Sequence, residues 1–202
     1  MSTHSSSEQI EANYTRAIER RTADILKALV LSDTNRAARV HDTLLAQWRA
    51  LRAWHDANDA KLKQAARAGD TKAIAQVRAS LKSLHHDFLS KLSADLTPAQ
   101  VETVKDKMTY GTVEVTYRAY CEIVPGLAAG DKAEILKLLK RAREEAMDCG
   151  SAKEKAVVFK RYKGRINNYL NAHGFNVAQA YKEWGERQKL KAAAGGAHTP
   201  AK

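Results

Sequence analysis

Val40-His41-Asp42-Thr43-Leu44-Leu45-Ala46-Gln47-Trp48-Arg49-Ala50-Leu51-Arg52-Ala53-Trp54-His55-Asp56-Ala57-Asn58-Asp59-Ala60-Lys61-Leu62 decides the fold of this chain. Val40, Leu44, Trp48 and Leu51 return at steps of three and four, and His55, Asn58 and Leu62 extend the stripe. That period belongs to one face of an amphipathic helix. The helix starts in 32–35 and runs toward Ala68, where Gly69 stops it. Such a length suits an arm of a bundle or hairpin.

The same period recurs on both sides. Ile10, Tyr14, Ile18, Ile25 and Leu29 mark a helix over 8–31. Ile74, Val77, Leu81, Leu84, Phe88 and Leu92 mark another after Asp70-Thr71. Thr97-Pro98-Ala99-Gln100 places a hydroxyl at the N-cap, proline at N1 and glutamine at N3 of a fourth. Segment 112–124 alternates like a strand, yet Val113, Tyr117, Tyr120 and Val124 also fit a helix. With no second strand to pair with, it is read as helix. Past Pro125-Gly126 a helix begins near Asp131, with Glu134 placed to close a capping box. Ser151-Ala152-Lys153-Glu154 opens the next, and Asn176 caps the last. The expected fold is an all-α bundle of seven to eight helices with a long helical hairpin. It occupies 8–191 as a single domain between irregular ends at 1–7 and 192–202.

With 202 residues and 44% hydrophobic content, the chain can bury a core. Its formal net charge is +11. A surplus of that size attracts anions, whether nucleic acid, anionic glycan, acidic lipid or acidic protein; the charge alone does not say which. No recognition-helix motif supports nucleic acid. No apolar run reaches the ~20 residues of a membrane span, and no signal peptide is evident at the start. Cys121 and Cys149 make neither a disulfide framework nor a zinc site; they are read as buried free thiols, with pairing open in an oxidising compartment. No cofactor is expected.

Several residues carry candidate chemistry. His55, with Asp56 beside it, reads either as a general base or as a histidine bonding a carbonyl in the core. His85-His86 point about 100° apart on a helix, so they do not share a metal ion. Lys160-Arg161-Tyr162-Lys163-Gly164-Arg165-Ile166-Asn167-Asn168-Tyr169 is the densest polar and aromatic stretch. Lys160, Lys163 and Asn167 share one helix face, and Arg161, Arg165 and Asn168 lie on a neighbouring row. Cations there suit phosphates, carboxylates or sulfates, and the amides suit sugar hydroxyls; the same residues also fit a plain solvated helix face. Gly164 breaks helix propensity by up to ~1 kcal/mol, which points to close approach of another helix or a ligand. Tyr169, Tyr110 and Tyr117 complete the candidate ligand-binding set. If the chain were an enzyme, His55, Asp56, Tyr110 and Tyr117 would be its proton-transfer groups.

Taken in order, Leu31-Ser32-Asp33, Arg39-Val40, Trp54-His55-Asp56-Ala57-Asn58-Asp59-Ala60, Val104-Lys105-Asp106-Lys107-Met108-Thr109-Tyr110-Gly111, Val115-Thr116-Tyr117, Ala142-Arg143-Glu144-Glu145-Ala146-Met147-Asp148 and Tyr162-Lys163-Gly164-Arg165-Ile166-Asn167-Asn168-Tyr169-Leu170 resemble an uncharacterised exported bacterial family. That family is a domain of unknown function found near polysaccharide-degrading enzymes. The resemblance covers 10–185. It implies an all-helical fold and a periplasmic or secreted home; that context, taken with the Lys163–Tyr169 surface, suggests an accessory role in binding anionic glycan. It supplies no catalytic roles. Leu96-Thr97-Pro98-Ala99-Gln100 is also similar to the LTxxQ signature of the Spy/CpxP periplasmic chaperones, which implies a chaperone-like or stress-type alternative.

Overall fold

The computed structural model describes the backbone of residues 2–196 and the side chains of residues 7–193. Over that range the chain is helical, with no strand. The helices are α1 (Ser2–Leu29), α2 (Thr34–Ala68), α3 (Thr71–Asp95), α4 (Pro98–Met108), α5 (Thr112–Ile123), α6 (Ala129–Met147), α7 (Ala152–Ala172) and α8 (Val177–Gly196). The first and last therefore extend into the ends read from sequence as irregular. Met1 and residues 197–202 of those ends lie outside the described residues. The chain, read from sequence as one domain, packs as two compact units. Among the described residues the first is 2–110 with 147–152, and the second is 111–146 with 153–196.

In the first unit, each helix boundary has a local chemical cause. Asp33 caps α2 by accepting from the Arg36 N–H at 3.0 Å. Gly69, at φ +67°, ends α2 and returns its N–H toward Ala65 and Ala66 carbonyls. Asp70 then caps α3 through the Ala73 N–H, so two residues suffice to close the hairpin. Thr97 and Gln100 form the full reciprocal capping box that opens α4. The core gathers Ile18, Ile25 and Leu29 of α1 with Val40, Leu44 and Trp48 of α2. Phe88, Leu92, Leu96, Val101, Val104, Met108 and Met147 complete it. Toward the turn between α2 and α3 the core thins. Beyond Leu51 only Ala65 of α2 is buried, and α3 buries nothing before Phe88. Leu62, Ile74, Val77 and Leu81 there are half-buried.

In the second unit, Ile123, Leu127, Ile135, Leu139, Phe159, Ile166, Leu170 and Val177 are buried. Segment 112–123 is helical, as the pairing argument requires. The start of α6 differs from the expected capping box. The helix begins at Ala129, so Asp131 sits in its first turn. Its carboxylate reaches back to the Ala128 N–H at 3.1 Å. That is the acid half of a capping box without a hydroxyl half, and it still satisfies an otherwise orphaned donor. Asn176 caps α8 through the Gln179 N–H at 3.0 Å. Lys155 is buried and donates to the Ala146 carbonyl at 2.9 Å.

Candidate ligand-binding face

Helix α7 carries most of the residues singled out from sequence. Its buried side is Val158, Phe159, Tyr162, Ile166 and Leu170, with Lys155. The opposite side is fixed by the 3.6-residue period and exposes Lys160, Lys163, Gly164 and Asn168. Six lysines and arginines lie on α7 against one acid, Glu154. Among the described residues, neither Lys160 nor Lys163 has a carboxylate within ion-pairing reach. A Cβ built on Gly164 meets nothing within 4 Å. No helix therefore packs on this glycine, which corrects one of the two explanations its position suggested. What remains is an open strip of backbone beside two unpaired ammonium groups.

Other side chains brace this helix. The Arg165 guanidinium lies 4.6 Å from the Tyr162 ring centroid. The Tyr162 hydroxyl and Arg161 both donate to Glu145 of α6. Asn167 is half-buried, and its side-chain oxygen accepts from the Tyr120 hydroxyl of α5 at 2.7 Å. Burial, with Tyr181 close by, pushes the Tyr120 phenol well above its ordinary value. Asn167 thus serves the fold with its oxygen.

Tyr169 is half-buried, not part of the core. Its hydroxyl donates to Asp131 at 3.2 Å, because the ring lies at the edge of the unit where that carboxylate waits. His173 Nδ1 lies 3.2 Å from the same oxygen, and its ring centroid is 4.0 Å from that of Tyr169. Partial desolvation raises the Asp131 pKa. The hydrogen bonds from His173, the Ala128 N–H and Tyr169 outweigh it and hold the group below the usual carboxylate range. Burial and Asp131 raise the Tyr169 phenol. Sequence reading missed this Asp131–Tyr169–His173 cluster. Its one local signal was the Tyr–His spacing of four at the end of α7, where His173 follows the last helical residue, while Asp131 lies 38 residues before Tyr169.

The remaining candidates lie elsewhere. Tyr117, on α5, is half-buried; burial and the neighbouring Cys121 raise its phenol, which opposes use as a base. Cys121 and Cys149 are both half-buried and not joined in a disulfide. Tyr110, His55 and Asp56 belong to the first unit. Tyr110 occupies the turn after α4 at φ +60° and is 57% exposed. His55 Nε2 lies 2.7 Å from the Asp148 carbonyl and Nδ1 2.9 Å from Asp59. Asp56 points to solvent and faces Arg52 at 3.9 Å. His85 Nδ1 meets Asp148 at 3.0 Å while His86 stays exposed, so the adjacent histidines diverge. Among the described residues no cluster of three or more His, Cys, Asp or Glu could hold a metal ion. No helix there is long and apolar enough to cross a membrane.

Residues 15–190 match a family described as a protein of unknown function, DUF3826. No curated protein matches the chain.

Proposed function

This chain belongs to the DUF3826 family, and we propose that it is a non-catalytic binding protein for acidic polysaccharide, acting outside the cytoplasm in a polysaccharide-degrading system. The observation that carries this reading is the exposed side of α7. Lys160 and Lys163 are unpaired among the described residues, and the space over Gly164 is empty. A carboxylate-bearing chain laid along this side gains charge-assisted hydrogen bonds from the ammonium groups. The exposed Asn168 amide offers both a donor and an acceptor to sugar hydroxyls. The glycine lets a ligand approach the helix backbone where any other residue would hold it away.

Affinity electrophoresis through polygalacturonate, with a neutral glucan as control, tests the reading. Wild type is expected to be retarded by the acidic polymer only. A folded Lys160→Glu, Lys163→Glu variant should bind about tenfold more weakly or worse, since two attractions become repulsions. Equal retardation of both proteins would remove α7 from the site. Equal retardation by the neutral polymer would remove charge from the recognition.

A further inference from the structure

The charge of this chain is concentrated in two places. One is α7. The other is the end of the α2–α3 hairpin, where Lys61, Lys63, Arg67, Lys72, Arg78 and Lys82 fall within 22 residues. The only acid in that span is Asp70, and it is engaged in capping α3. Each segment carries six cations against one acid, so together they account for +10 of the formal +11.

We infer that the turn end of the α2–α3 hairpin is a second polyanion-binding site, and that its ligand is a linear acidic polysaccharide. All six cations are exposed, and among the described residues none has a carboxylate partner. Elsewhere in the same unit arginines do find partners: Arg39 pairs with Asp95, and Arg52 with Glu11. Lys63 and Arg67 stand four apart on α2, as Arg78 and Lys82 do on α3. Like charges at that spacing repel and weaken a helix. Both helices bear this repulsion where their shared core is thinnest, and a bound polyanion would relieve it.

Three observations select the ligand. No large exposed hydrophobic residue lies between 61 and 82, so the surface lacks the apolar anchors of a protein partner or a lipid-inserting face. A single helix of about 10–12 Å fills a DNA major groove of about 12 Å, and two paired helices are too wide to enter one. Gln64 and Gln76 are exposed between the cations, and their amides match hydroxyls, which a polysaccharide supplies along its whole length.

The site shares its ligand class with the reading of α7 but rests on other residues, and the two are separable. The test is the double variant Lys63→Glu, Arg78→Glu. Each change converts a repelling pair into an acid-before-base pair at i, i+4, the favourable orientation. Thermal stability should therefore rise or hold, so loss of binding cannot be ascribed to unfolding. Binding is measured to polygalacturonate, to a random-sequence DNA duplex and to phosphatidylglycerol vesicles, for wild type, this variant and the Lys160→Glu, Lys163→Glu variant. The expected result is polygalacturonate affinity lowered about tenfold by each double variant separately. Loss only in the α7 variant would overturn the hairpin site and leave the α7 reading standing. Loss only in the hairpin variant would do the reverse. Preference of the hairpin for duplex or vesicles over polygalacturonate would overturn the assigned ligand.

Discussion

At the scale of single residues, the second unit depends on where a carboxylate sits. Asp131 is nearly buried at the start of α6 and accepts from a backbone N–H, a phenol and an imidazole. Its pKa is held down, so its contribution to stability is fully present above the ordinary carboxylate pKa of about 4 and is lost as pH falls through the lowered folded value. Asp131→Asn should therefore destabilise the protein at neutral pH, and the difference from wild type should shrink on the acid side. Urea melts of both proteins from neutral to acid pH check this, and a difference constant with pH would contradict the linkage. His41 has the opposite sign. Hydrogen bonds to Asp42 and Glu19 outweigh partial desolvation and raise its pKa above 6.5. Its contribution is present below that value and fades as pH rises through the folded one.

At the scale of elements, two helix positions break local rules in informative ways. Val30 follows α1 at φ +49° and is 83% exposed. A β-branched residue in the left-handed region is strained, and glycine is the usual occupant of that place after a helix. Val30→Gly should raise stability by about 0.5–1 kcal/mol, the relief of strain being partly offset by the freer unfolded chain. A loss of stability in thermal melts would mean that the valine makes a contact worth more than its strain. Gly164 is the reverse case, a residue of low helix propensity inside a regular helix with open space around it. Gly164→Ala should stabilise by about 1 kcal/mol. It should also weaken polygalacturonate binding if a ligand uses the bare backbone. Stabilisation without loss of binding would place the polymer elsewhere on α7.

At the scale of the whole molecule, the division between core and charge is plain in the numbers. The core residues Leu92, Ile135, Leu139 and Ile166 are fully buried. Leu92→Ala in the first unit and Leu139→Ala in the second should each cost about 2–5 kcal/mol, measurable by urea denaturation. A cost below about 0.5 kcal/mol would place either side chain on the surface. Outside α7 and the hairpin end, the rest of the chain is close to neutral. Binding to acidic polymers should therefore weaken steeply as salt rises and the screening length falls toward about 8 Å. Salt-independent binding would point instead to hydroxyl contacts through the amides and tyrosines.

Much of the fold was legible in the one-dimensional pattern, because helices are made by contacts between near neighbours. The 3–4 spacing from Val40 to Leu51, the Thr97–Gln100 box, the Gly69 stop and the Asn176 cap all act within a few residues. Trp48 and Leu51 are buried as their stripe requires. The polar face of α7 was legible for the same reason, since three-residue and four-residue steps place Lys160, Lys163 and Gly164 together. Tertiary structure alone decided the rest. It set Tyr169 against Asp131 and turned Asn167 toward Tyr120. It left Gly164 without a neighbour, and it left the cations of the hairpin end unpaired while their counterparts elsewhere found acids. Those outcomes depend on which side chains meet across tens of residues. Periodicity carries no information about such meetings, because it fixes the direction of a side chain around its own helix and not what stands opposite.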